Sequence, residues 1–208
     1  DFKQHSDVAS LHKIVDIGAN LELDLRTAHE TAADFTAREK AFEFTPTEYA
    51  LLGQMQKDFE PYFRLWSILS DYNTKKQVWM TGPFLELQPV DIERDVTDWW
   101  GSSYKLMRLL EEVSPGAAAV AGMLRQETDK FRKNVPVIQS LASPALKDRH
   151  WTTLSERIGQ DISPDDELTL DQLLGMGILE SWDTVEEVCV VAEKEYGLDK
   201  ALDGMMRE

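Results

Sequence analysis

Cysteine is almost missing from this chain: Cys189 is the only one in 208 residues. A disulfide within the chain needs two, and a thiolate metal site needs several, so neither is expected. Such cysteine usage fits a reducing, intracellular setting. Basic residues are also scarce, 22 against 38 acidic, for a formal charge of -16. Nucleic-acid grooves need a basic face and anionic membranes attract one, so no nucleic acid and no membrane is expected as a partner. No apolar run reaches the roughly 18 residues of a spanning helix. The chain opens on Asp1 without a charged-then-apolar leader, as expected of a piece of a larger protein.

The motifs of common chemistries are missing too. No glycine is followed at the right interval by Gly-Lys-Ser/Thr, so the phosphate-cradling loop is absent, as is a Gly-rich dinucleotide turn. The four histidines are His5, His12, His29 and His150, and none has a partner at metal-ligand spacing. His29-Glu30 lacks the second histidine that a zinc-protease helix carries four residues after the first. Asp161, Ser163, Asp165 and Asp166 invite a calcium-loop reading. Asp166 and Gln172 stand where such a loop needs glycine and an acid, which rejects it. The pairs Glu111-Glu112 and Glu186-Glu187 read as solvated helix faces rather than facing carboxylates. No catalytic, cofactor-binding or metal-ligating residue is expected.

Strand-type alternation is nearly absent, whereas three-four spacing of apolar residues runs through the chain. Leu11, Ile14, Gly18, Leu21, Leu25, Ala28, Ala32, Phe35, Glu39 and Phe42 predict one long helix from about Val8, with a kink or break at Gly18. The stripe suits bundle packing, with a coiled-coil seam as the alternative. Phe44-Thr45-Pro46-Thr47 reads as a connector whose threonines cap the next helix, with Pro46 in its first turn. That helix carries Leu52, Met55, Phe59, Tyr62, Trp66 and Leu69, and Pro61 predicts a kink in it. Its aromatics read as core rather than as a stacking platform.

Asp71 to Gln88 reads as a loop or short extended segment whose aromatics, Trp79 and Phe84, are pinned to the core. Pro89 starts a helix with Ile92, Val96, Trp99, Ser103, Leu106, Leu110 and Val113 on its buried face. Ser114-Pro115 caps and opens the next, which carries Val120, Leu124, Thr128, Phe131, Val135 and Ile138, and Pro136 kinks or ends it. Ser143-Pro144 repeats the signal for a fifth helix closed by Gly159. After an acidic loop, Thr169 caps a short helix to Met176. Gly177 separates it from a helix through Trp182, Val185, Val188, Ala192 and Tyr196. Gly197 is expected to end that helix, with a truncated last helix over Leu198 to Met206. The fold class is therefore all-α, an elongated multi-helix bundle.

Ala145-Leu146-Lys147-Asp148-Arg149-His150-Trp151 resembles the Leu-x-x-Arg-His-Trp helix in the linker region of dynein heavy chains. Pro136 to Leu141, Leu168 to Leu174 and Ala192 to Leu198 resemble the family's neighbouring segments, in order. Upstream, Phe59-Glu60-Pro61-Tyr62-Phe63-Arg64-Leu65-Trp66 resembles its Phe-x-Pro-aromatic-x-x-Leu-Trp helix. Trp79-Met80-Thr81-Gly82-Pro83-Phe84 resembles the axonemal, or ciliary, version. The likeness runs from about Phe35 to Glu208 and marks Trp66, Trp79, Pro83, Phe84, Arg149, His150 and Trp151 as signature residues. Phe35-Thr36-Ala37-Arg38-Glu39 departs from the usual Ile-Asn-x-Arg-Glu, residues before about Leu21 match nothing, and the chain stops short of the tryptophan that usually follows.

The resemblance implies a mechanical part. In dyneins the linker is a helical lever across a ring of AAA+ ATPase modules. It bends and straightens as ATP turns over, which produces the power stroke. The ATP and magnesium sites and the microtubule-binding tip lie in later parts of the heavy chain, so no cofactor and no catalysis are expected here. The implied partner is the AAA+ ring of the same heavy chain, then other dynein chains, with microtubules met only indirectly. The implied setting is cytoplasm and cytoskeleton, in a cilium or flagellum axoneme. The implied organisation is a long helix over 1–45, a first linker bundle over 46–142 and a second, truncated segment over 143–208. An acidic helical docking module for other axonemal chains is the alternative, and the unmatched N-terminal stripe motivates it.

Overall fold

The computed structural model describes residues 11–207. Among the described residues there are eight α-helices and no strand. They are α1 (Leu11–Ala41), α2 (Ala50–Thr81), α3 (Pro89–Leu110), α4 (Pro115–Arg132), α5 (Val135–Leu141), α6 (Asp148–Ile158), α7 (Leu170–Gly175) and α8 (Trp182–Arg207). A 3₁₀ turn, Phe84–Glu86, lies between α2 and α3. The all-α class is borne out. No helix among the described residues is long and apolar enough to cross a membrane. His5 and the predicted start of the first helix at Val8 lie outside the described residues.

The helices pack as two compact units. The first takes the chain up to Asn73 together with Trp99–Gln126. The second takes Thr74–Asp98 and the chain from Glu127 onward. Hence α2, α3 and α4 each give residues to both, and the units interleave along the chain.

In the first unit, α1 buries Leu11, Ile14, Gly18, Leu25 and Ala32. The helix continues through Gly18, so no break forms there. The lower half of the predicted stripe is not covered: Phe35 is 48% and Phe42 71% exposed. The connector does not cap α2 as predicted. Glu39 of α1 accepts from both the Thr47 amide, at 2.7 Å, and its hydroxyl, at 2.6 Å. Thr47 is thus tied back to α1, and α2 begins only at Ala50. Within α2, Phe59, Tyr62, Leu65, Trp66, Leu69 and Tyr72 are buried, and Pro61 sits inside the helix without ending it. Tyr72 meets Trp99 of α3 edge-on, at 5.8 Å between ring centroids. Arg125 of α4 lies over the Tyr104 and Trp100 rings of α3, at 4.3 and 5.1 Å.

In the second unit, the predicted loop over Asp71 to Gln88 is mostly helix, since α2 runs on to Thr81. Asn73 is exposed and the helix passes through it, while Tyr72 and Trp79 stay seven residues apart and buried. Burial of that stripe outweighs the weak helix propensity of one asparagine. Trp79 stacks at 5.5 Å, tilted, on Phe131 of α4.

The α3 stripe is buried as expected through Leu110, but Val113 lies beyond the helix and is 69% exposed. Pro136 falls in the first turn of α5, a separate short helix. Gly197 does not end α8, which continues to Arg207. A Cβ at Gly197 would meet nothing within 4 Å, so ordinary helical geometry holds there.

Candidate functional site: the joint between α6 and α8

The start of α6 departs from the Ser143-Pro144 expectation. The Ser143 hydroxyl accepts from the Ala145 amide at 3.3 Å and its carbonyl from the Leu146 amide at 3.2 Å. A local turn therefore takes the place of a helix start, and α6 begins at Asp148.

Its cap comes from His150. The Lys147 carbonyl accepts from the His150 amide at 2.8 Å, and His150 Nδ1 accepts from the Lys147 amide at 3.0 Å. This is the reach-back half of a capping box, with imidazole doing the work usually done by glutamate. Because Nδ1 accepts, the neutral ring carries its proton on Nε2. That nitrogen donates to Glu195 Oε2 on α8 at 3.0 Å. One buried histidine thus shapes its own helix and binds a second.

Arg149 bonds the same carboxylate, through Nε at 3.1 Å and through Nη2. Lys147 pairs with Asp199 and Arg157 with Glu187, so three cations of the α6 region meet three acids of α8. The Arg149 hydrogen bond holds the Glu195 carboxyl below its ordinary range; partial burial opposes this and His150 adds to it. Lys147 lowers Asp199 in the same way. Within α6, Trp151 is 3% exposed and Leu154 fully buried, as are Val185 and Ala192 of α8.

Cys189 donates to the Ser140 carbonyl at 3.7 Å, joining α8 to α5. Burial, then the charge of Glu193, pushes its thiol up to about 11. At neutral pH it is a small apolar core residue rather than a nucleophile.

A groove of about 740 Å³ runs beside the ladder, lined in part by Arg149, Thr153, Arg157, Val190 and Val191. Both arginines are already bonded to carboxylates. Among the described residues, no three His, Cys, Asp or Glu side chains gather where they could hold a metal ion. The arrangement is one of cross-links and packing.

The other signature residues fall in two places. Trp66 is fully buried in the first unit, and its indole N–H has no hydrogen-bond partner among the described residues. Trp79, Pro83 and Phe84 belong to the second unit, at the turn from α2 to α3. There Phe84 is fully buried while Pro83 is exposed. Gly82 closes α2 by donating to the Val78 carbonyl at 2.8 Å, and a Cβ on it would stand 2.7 Å from that oxygen. Glycine is therefore required by close approach.

A carboxylate partner on another helix suits Arg149 from its chemistry alone, but sequence reasoning did not name Glu195, Asp199 or Glu187 and missed His150 as a cap. The only available signal was Lys147-x-x-His150, at the spacing of a capping box without its usual residues.

A family model described as "Dynein heavy chain, N-terminal region 2" matches residues 52–208. The chain belongs to the dynein heavy chain family. Dynein axonemal heavy chain 1 of Rattus norvegicus is 30% identical over the whole of this chain. Dynein axonemal heavy chain 3 of Homo sapiens is 33% identical over 80% of it. The chain spans only about 5% and 4% of those relatives' own lengths. The expected family and its axonemal type are both borne out. The residues before Leu21, which no motif placed, align with dynein axonemal heavy chain 1 as well. The α6–α8 ladder and the Gly82–Phe84 turn both lie within the matched dynein region.

Proposed function

We propose that this segment is a mechanical linker of an axonemal dynein heavy chain. It carries force between the AAA+ ring of that heavy chain and the rest of the motor, and it catalyses nothing itself. ATP and magnesium act in the ring. The working place is the cilium or flagellum axoneme, and microtubules are reached only through other parts of the motor. One observation carries the reading: the start and body of α6 are joined to α8 by three ion pairs and a buried histidine bridge.

A force-bearing piece needs its helices to stay joined while load passes through them. Interdigitated side chains resist sliding, but the apolar attraction behind them is itself non-directional. Hydrogen-bonded pairs at several levels fix the register. Purified chain mixed with ATP and magnesium is expected to release no phosphate above the buffer rate. Motor-like turnover by this chain alone would defeat the reading.

A further inference from the structure

In the first unit, the exposed half of the α1 stripe faces the start of α2 across a groove of about 630 Å³. Ala28, Ala32 and Phe35 form one wall, and Tyr49, Leu51 and Met55 the other. Leu51 is 74%, Phe35 48% and Met55 47% exposed, so this apolar surface is open to water. Phe42 and Phe44, between α1 and α2, are 71% and 67% exposed with rings 6.4 Å apart, and neither lines the groove. A patch of this kind marks an interaction surface. Its shape is set in advance, because Glu39 holds Thr47 by two hydrogen bonds and so fixes the connector between the walls.

The charge at the rim selects the occupant. Asp24 and Glu48 line the groove, and no Lys or Arg lines it among the described residues. A second copy of this chain would bring the same acids against them, on a body of charge -16. From Asp24 to Phe35 the α1 wall rises about 17 Å, which matches roughly three turns of helix.

We propose that the groove docks an amphipathic helix of about three turns, apolar on one face and Lys- or Arg-rich on its flanks, supplied by another chain. The apolar anchors of the guest, at three-four spacing, lie between Phe35 and Leu51, and its basic flanks meet Asp24 and Glu48. This surface is independent of the lever reading: either stands if the other fails.

The test is fluorescence anisotropy with a labelled 14-residue helical peptide bearing a leucine stripe and lysines elsewhere. Saturable binding to the 208-residue chain is expected. Its Kd is expected to rise about tenfold in an Asp24→Lys, Glu48→Lys variant and to change less than about twofold in a Glu111→Lys, Glu112→Lys variant of equal charge. Leu51→Asp alone is expected to weaken it as well, and a peptide with Glu in place of Lys is expected not to bind. Each variant is checked for an unchanged melting temperature, Leu51 being a surface residue. Equal loss in both charge variants would reduce the attraction to bulk charge and overturn the proposal. So would no saturable binding, or sedimentation showing a dimer that covers the groove.

Discussion

The Phe84 amide donates a hydrogen bond to the Leu168 carbonyl at 2.7 Å. Beside it Pro83 and Thr169 form an isolated antiparallel bridge. The turn that ends α2 is thereby fastened to the loop that precedes α7, inside the second unit. Gly82 makes the turn possible, since its missing Cβ leaves room for the Val78 carbonyl. That oxygen is backbone and has little freedom to yield. Gly82→Ala is therefore expected to cost about 1–3 kcal/mol of stability, read by urea unfolding. A midpoint unchanged from the parent would show the turn relaxes without loss.

Trp151 is the largest buried side chain of α6. It is 3% exposed, and Leu154 one turn later is fully buried. Truncation leaves a large cavity in a close-packed interior, so Trp151→Ala is expected to cost about 3–5 kcal/mol. Arg149→Ala removes only an exposed pairing and is expected to cost far less. The two variants compared by thermal melting separate packing from charge. Equal losses would place the joint's strength in the ladder instead.

The ladder gives the joint a pH dependence of definite sign. The carboxyls of Glu195 and Asp199 are held below their ordinary values of 4.5 and 3.8, chiefly by Arg149 and Lys147. A lowered folded-state pKa means the unfolded chain binds protons first. The stabilisation is therefore full above about pH 5 and is lost as pH falls through the carboxylate range. Melting temperature is expected to fall on acidification below that point, and less steeply in Glu195→Gln. A parent and a variant with parallel pH profiles would contradict the assignment.

Much of this was readable beforehand because the signals were local. Thr169 caps α7 with Gln172 reaching back, and Gly159 ends α6 at φ 74°. Both follow from residue chemistry at one helix end. Asn73, Gly82 and Pro83 point to a loop, but Tyr72 and Trp79 stand seven residues apart, at helical spacing, and both are buried. Burial on one face outweighed those local preferences. Ser143-Pro144 and Gly197 failed for a related reason: a cap residue makes a helix end favourable without requiring one. The partners of Arg149 and His150 were illegible, since Glu195 lies 46 and 45 residues away and only the folded chain brings it near.

Cys189 offers a probe of α8 and α5 packing. Its thiol is buried, bonded to the Ser140 carbonyl and raised to about 11. With so little thiolate at pH 8, reaction with a disulfide reagent is expected to be slow and to proceed by local opening. Trp151→Ala is expected to speed it, if the seam anchors α8. Fast labelling of the parent chain would mean that α8 opens freely.

The lever claim itself is tested in the whole heavy chain, by measuring stall force and ATP turnover on the same motors. Trp151→Leu leaves space at a buried position of α6 and alters no residue of the ring. The lever account predicts that stall force drops while microtubule-stimulated ATP turnover per motor stays near the parent value. Unchanged force in a variant shown to melt earlier, or force and turnover falling in proportion, would contradict it.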